Sequence, residues 1–174
     1  QRSQAKTVNF GIVYGVSAFG LSNQTSLNRS EAKALIDAYY ETYPQLKNYM
    51  RQQVDFAREN GYVETVLGRR RYLKDINSQN SIVRGAAERN AVNAPIQGSA
   101  ADIIKIAMLR IHEKLNDFES KMLLQVHDEL VFDVKKSELN SLTSMIKTEM
   151  EQAYALKVPL VVDVGIGMNW LEAH

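Results

Sequence analysis

The chain has 174 residues, 45% hydrophobic and 24% charged, which fits one ordinary globular domain or two small ones sharing a core. It holds no cysteine, which excludes disulfides, zinc–thiolate sites and thiol nucleophiles. It has no unbroken apolar run of about eighteen residues, so no transmembrane helix is expected. The net charge of +1 hides an asymmetry: residues 1–98 carry 13 Lys/Arg against 8 Asp/Glu, a net of +5, and residues 99–174 carry 8 against 12, a net of −4. A basic half suits a polyanion and an acidic half suits metal ions, although ordinary charge scatter explains the split equally well.

In chain order, residues 2–14 read as a helix, with Gly15, Gly20 and the polar run to Asn28 as a connection. Asn28 and Glu31 form a capping box that opens a helix to about Tyr43. Pro44 marks the first position of the next helix and Gly61 its end. Residues 62–66 and 70–73 flank Leu67-Gly68 as a small hairpin. A helix over 82–92 is expected to stop at Pro95 and Gly98, and a second to run over 100–118, with Ile104, Met108, Ile111 and Leu115 on one stripe. Residues 122–126 and 130–134 read as two short strands around His127-Asp128-Glu129. A helix carrying Leu139, Leu142, Ile146, Met150 and Ala153 follows, then a last strand over 160–164. The pattern is α+β, mostly helical before a boundary near Gly98 and strand–strand–helix–strand after it. The G-x-G at 165–167 has no third glycine, so a dinucleotide site is not expected. The chain opens on Gln directly inside a patterned segment, which reads as a cut from something longer.

Arg2, Lys6, Phe10 and Tyr14 recur every four residues and share one helix face. Two cations near a helix N-terminus suit a polyphosphate, and rings one turn on suit a base. On spacing alone, an amphipathic helix with its rings in the core and its cations solvated fits as well. The triplet His127-Asp128-Glu129 on a tight turn offers a hard-cation ligand, with Mg²⁺ the default, or is simply a solvated hairpin tip. Arg89, Asn93 and Gln97 are again four apart and all donate hydrogen bonds. Minor-groove acceptors occur at every base pair, so such donors read pair geometry without reading sequence. Intramolecular bonding is the competing use. The triple arginine 69–71 engages phosphates or is a solvated turn.

Three strings break these ties. Arg2, Lys6, Phe10 and Tyr14-Gly15 resemble the R-x3-K-x3-F-x3-YG motif of the family A DNA polymerases. Gln125-Val126-His127-Asp128-Glu129 resembles that family's QVHDE motif. Glu88-Arg89 with Asn93-Ala94-Pro95-Ile96-Gln97-Gly98 resembles its ERxxxNxPxQG segment. The resemblance implies an incomplete right-hand polymerase fold: a helical fingers subdomain over 1–98 and the C-terminal part of the palm, with a short antiparallel sheet, over 99–174. It implies that Arg2 and Lys6 hold the triphosphate, and that Lys6 also gives a proton to the leaving pyrophosphate. Phe10 packs on the nucleotide and Tyr14 guards the nascent base pair. Ser17 and Phe19 meet the template, and Arg89, Asn93 and Gln97 contact the template–primer. His127 lies near the primer 3′ end. Asp128 is one of two catalytic carboxylates and a Mg²⁺ ligand, and Glu129 is an auxiliary acid.

The implied activity is template-directed DNA synthesis in replication and repair, with primer–template DNA and deoxynucleoside triphosphates as partners. It uses two Mg²⁺ ions in the complete enzyme and takes place at the nucleoid in a bacterial cytoplasm, with no membrane. The family's other catalytic aspartate belongs to a D-Y-S-x-I-E-L-R segment that this sequence lacks. The chain alone is therefore expected to be inactive, to bind Mg²⁺ weakly at most, and to self-associate through its truncated palm. Two alternatives stand: a non-catalytic module that binds DNA and nucleotide, and a single-subunit RNA polymerase, which shares the fingers Lys, the Tyr-Gly pair and the His-Asp turn.

Overall fold

The computed structural model describes the backbone of residues 2–173 and the side chains of residues 5–173. It divides into two units, Gln1–Gly98 and Ser99–His174.

In the first unit, α1 (Arg2–Val13) ends at Gly15, whose φ of +75° only glycine adopts without strain. Residues expected to be a plain connection instead contain α2 (Ala18–Gln24), opened by Ser17, whose Oγ accepts from the Gly20 N–H at 3.1 Å. The helix is only two turns long, too short to show an apolar period. α3 (Arg29–Thr42) opens on the full capping box: Asn28 Oδ1 accepts from the Glu31 N–H at 2.9 Å, and Glu31 Oε2 accepts from the Asn28 N–H at 2.8 Å. α4 (Pro44–Asn60) starts on its proline and stops at left-handed Gly61. β1 (Tyr62–Glu64) and β2 (Arg70–Tyr72) pair antiparallel around Gly68, φ +78°.

α5 (Ser81–Lys114) corrects the sequence expectation, because it passes through Pro95 and Gly98 without a break. A proline inside a helix forfeits one backbone bond and costs about 3 kcal/mol. Here the loss is met by packing: Ala87, Ala91 and Ala94 of α5 join Ala57, Val63, Leu73 and Ile76 in one buried cluster. Small residues on α5 bring the hairpin and α4 close to the helix around the proline.

In the second unit, β3 (Lys121–Val126) and β4 (Glu129–Asp133) form an antiparallel pair with an irregularity between Met122 and Leu124. α6 (Leu139–Glu151) packs Met145, Ile146 and Met150 onto Ala107 and Ile111 of α5. The core face of this part of α5 runs through Ile103, Ile106, Ala107 and Ile111 and continues to Leu115 just past the helix end, so the expected stripe is displaced at Ile104 and Met108. Residues 160–164 form no strand, contrary to expectation. A strand exists only where a neighbour completes its ladder, and the described sheets are the two hairpins alone. A one-turn helix, α7 (Trp170–Ala173), follows.

Candidate nucleotide and nucleic-acid site

On α1 the core position is Ile12, fully buried, while Phe10 and Tyr14 are 46% and 37% exposed. The two rings stack, with centroids 6.1 Å apart and planes 22° apart, and Lys6 Nζ lies 5.8 Å from the Phe10 centroid. The four-residue spacing therefore does not feed the core. It builds an exposed row of ammonium, ring and ring along one face. The Arg2 side chain lies outside the described residues. Asn9, on the flank of α1, accepts from the Tyr39 hydroxyl at 2.6 Å, tying the helix to α3.

Tyr14 leads into the Gly15 turn, which sits against α4 and α5. A methyl group at Gly15 would lie 3.4 Å from Met50 Cε and 3.8 Å from Arg89 Cγ. Arg89 is thus beside the end of the exposed row, with its own surface open. Asn93, one turn on, has its side-chain oxygen buried with no hydrogen-bond partner among the described residues. An orphaned buried acceptor costs roughly 1–3 kcal/mol. Gln97, a further turn along, is exposed.

Ser17 and Phe19 start α2, and Phe19 is exposed. Ser17 and Gly15 also line an open cleft of about 490 Å³ whose other wall is Arg29, Lys33, Tyr40 and Met50. Sequence reasoning passed over Arg29 and Lys33. Their four-residue spacing on α3 was the available signal, masked because Asp37 pairs with Lys33 at 3.5 Å. Burial pushes the Tyr40 phenol above its ordinary range, and neighbouring Tyr39 adds to this.

The triple arginine separates into three tasks. Arg69 Nη2 donates to the Gly98 carbonyl at 3.1 Å. Arg70 donates to Glu64 at 2.8 Å and lies 4.3 Å over the Tyr62 ring. Arg71 is exposed.

In the second unit, His127 and Asp128 form the two-residue turn between β3 and β4, both exposed. His127 has φ +54°, and it is the one non-glycine residue with positive φ among those described. Gln125 Nε2 donates to the His127 carbonyl at 2.7 Å and holds the turn. Glu129 is the first residue of β4, half-buried and paired in register with Val126. Among the described residues no three His, Asp or Glu side chains gather into a metal-holding group. The donors present do not by themselves fit a two-ion centre. The start of β3 is fixed separately: Glu138 accepts from the Ser120 hydroxyl at 2.6 Å and from the Glu119 and Ser120 N–H groups. These bonds, the hydroxyl first, lower the Glu138 carboxyl below its ordinary value, and the Lys135 charge adds to the effect.

A family model described as DNA polymerase family A matches residues 1–172. DNA polymerase I of Streptococcus pneumoniae serotype 4 is 55% identical over 174 residues, covering 99% of this chain and 20% of the relative. DNA polymerase I of Caldicellulosiruptor bescii is 53% identical over 173 residues, again covering 20% of the relative. The POL domain of Pol1 from M. smegmatis, solved in complex with DNA primer-template and dNTP, superposes with a TM-score of 0.96 at 47% identity, covering 99% of this chain and 31% of that one. The chain thus spans about a fifth of the length of the curated relatives it matches.

Proposed function

Since this chain belongs to DNA polymerase family A, we propose that it supplies the nucleotide-facing and template-facing surfaces of a template-directed DNA polymerase. The first unit corresponds to the fingers and the second to the C-terminal part of the palm. The observation that carries this reading is the exposed Lys6–Phe10–Tyr14 row. Two large rings left 46% and 37% exposed, instead of packed into the core, offer free surface to a flat apolar partner such as a base.

In this reading Arg2 and Lys6 bind the triphosphate, and Lys6 hands a proton to the leaving pyrophosphate. Phe10 packs on the nucleotide and Tyr14 meets the nascent pair. Ser17 and Phe19 face the template strand. Arg89, Asn93 and Gln97 reach minor-groove acceptors of the template–primer, and His127 lies by the primer end. Asp128 supplies a catalytic carboxylate and Glu129 assists it. Where Mg²⁺ is bound in family A polymerases, it offsets charge on the reacting phosphate. Asp128 is the donor this chain contributes, and the rest of the donor set is not among its described residues. We place the activity at the nucleoid of a bacterial cytoplasm, in keeping with the bacterial relatives.

The incomplete donor set favours a narrower role for the chain by itself: binding DNA and nucleotide without extending a primer. The apolar side chains exposed along its C-terminal segment, Val158, Val161, Ile166, Met168 and Leu171, favour self-association as well. The test is incubation of the chain with labelled primer–template, all four nucleotides and Mg²⁺. No extension is expected at any enzyme concentration. Metal-dependent extension would overturn the non-catalytic assignment.

A further inference from the structure

Helix α5 carries two intrinsic weaknesses, four and seven residues on from Ala91: Pro95, which donates no backbone bond, and Gly98, which favours disorder over helix. Both sit in the stretch that displays Asn93 and Gln97. The β1–β2 hairpin closes on this stretch from outside. A methyl group at Gly98 would lie 2.6 Å from Thr65 Cγ2, so the glycine is what lets the hairpin approach. The Arg69 guanidinium then donates to the Gly98 carbonyl at 3.1 Å. Thr65 holds Arg69 in place in turn: its N–H donates to the Arg69 carbonyl at 3.0 Å, and its Oγ1 accepts from the Arg69 N–H at 3.2 Å. Within the first unit, the hairpin grips the backbone of the residue that follows Gln97.

The geometry points to Arg69 as a positioning residue that holds the Pro95–Gly98 turn of α5 and so fixes Gln97 toward duplex DNA. It resembles a phosphate-binding arginine in sequence, yet its head is spent on a carbonyl of the chain. This inference rests on the reading of Gln97 as a DNA contact and extends it to a residue that does not touch DNA.

Hydrogen exchange on the 174-residue chain tests the clamp without DNA. Arg69→Ala should speed exchange of the amides around Gly98 and leave α3 and α4 unchanged. Equal protection in wild type and variant would overturn the clamp. Fluorescence anisotropy on a primer–template duplex tests the consequence. Arg69→Ala should weaken binding roughly 3- to 10-fold, and adding Gln97→Ala should cost little more, because one residue acts through the other. The slope of affinity against salt should stay as in wild type, whereas loss of a direct phosphate contact lowers it by about 1. Arg69→Lys keeps the charge but loses the planar fork, so it should behave like Arg69→Ala. Additive losses, a reduced slope or full rescue by lysine would make Arg69 a phosphate contact and sink the inference. If the wild-type chain binds no duplex at low salt, the DNA reading fails and takes the Gln97 role with it, while hydrogen exchange still decides whether the clamp exists.

Discussion

The Phe10 and Tyr14 rings stack 6.1 Å apart on the exposed side of α1, opposite the buried Ile12. Each ring limits the rotamers of the other before any ligand arrives, so the row is organised in advance. A hydroxyl added to Phe10 would project from this row, toward the nucleotide that packs on it in the proposed reading. Phe10→Tyr at the matching position of a complete family A polymerase should raise incorporation of dideoxynucleotides by about tenfold, the scale of one hydrogen bond. Termination ratios on a sequencing ladder measure this, and unchanged ratios would refute it.

His127 carries φ +54° at the tip of the β3–β4 hairpin. For a residue with a Cβ that conformation costs about 1–2 kcal/mol, and glycine escapes most of the cost. His127→Gly should therefore raise the unfolding free energy by about 1 kcal/mol in urea titration. The same change in a complete polymerase should slow extension. A stabilised and fully active variant would mean that the strained histidine serves no purpose in catalysis.

Gly98 trades helix propensity for contact with Thr65. Alanine at 98 adds helix propensity of about 1 kcal/mol, but it drives a Cβ into a β-branched side chain that cannot easily rotate away. Gly98→Ala should be net destabilising, by about 1–3 kcal/mol. In a Thr65→Ser background, which removes the clashing methyl and keeps the hydroxyl, it should become neutral or stabilising. Thermal unfolding of the two single variants and the double variant decides the matter.

Glu138 is held ionised by the Ser120 hydroxyl and by two backbone N–H groups, which lower its pKa from the ordinary 4.5. A carboxylate with a depressed folded pKa contributes stability that is complete above its unfolded value and disappears as pH falls through its folded value. Glu138→Gln should thus lower the melting temperature at neutral pH. The gap to wild type should close as the solution is acidified below 4.5. A gap that persists or widens in acid would rule out this linkage.

Local chemistry made most element ends legible. Asn28 with Glu31, Pro44 and Gly61 act within one turn of themselves, so their spacing suffices to place a cap or a stop. Pro95 misled because what keeps α5 continuous is non-local: Val63, Leu73 and Ala57, far away in sequence, pack on its alanines. Residues 160–164 misled for the reverse reason, since alternating apolar residues imply a strand only if a partner edge stands beside them. In the candidate site, the four-residue row on α1 was readable as a face but not as an exposed one. Burial depends on what the rest of the first unit packs against Ile12. The division of Arg69, Arg70 and Arg71 among a carbonyl, a carboxylate and solvent could not be read from three identical letters.

Arg89, beside the Gly15 turn, is the residue through which the first unit is proposed to bind duplex DNA. Fluorescence anisotropy of a labelled primer–template duplex, titrated with the chain at two salt concentrations, measures that role. Binding should be salt-sensitive and should weaken by about 1–3 kcal/mol in Arg89→Ala. Absence of binding at low salt, or binding indifferent to Arg89→Ala, would contradict it.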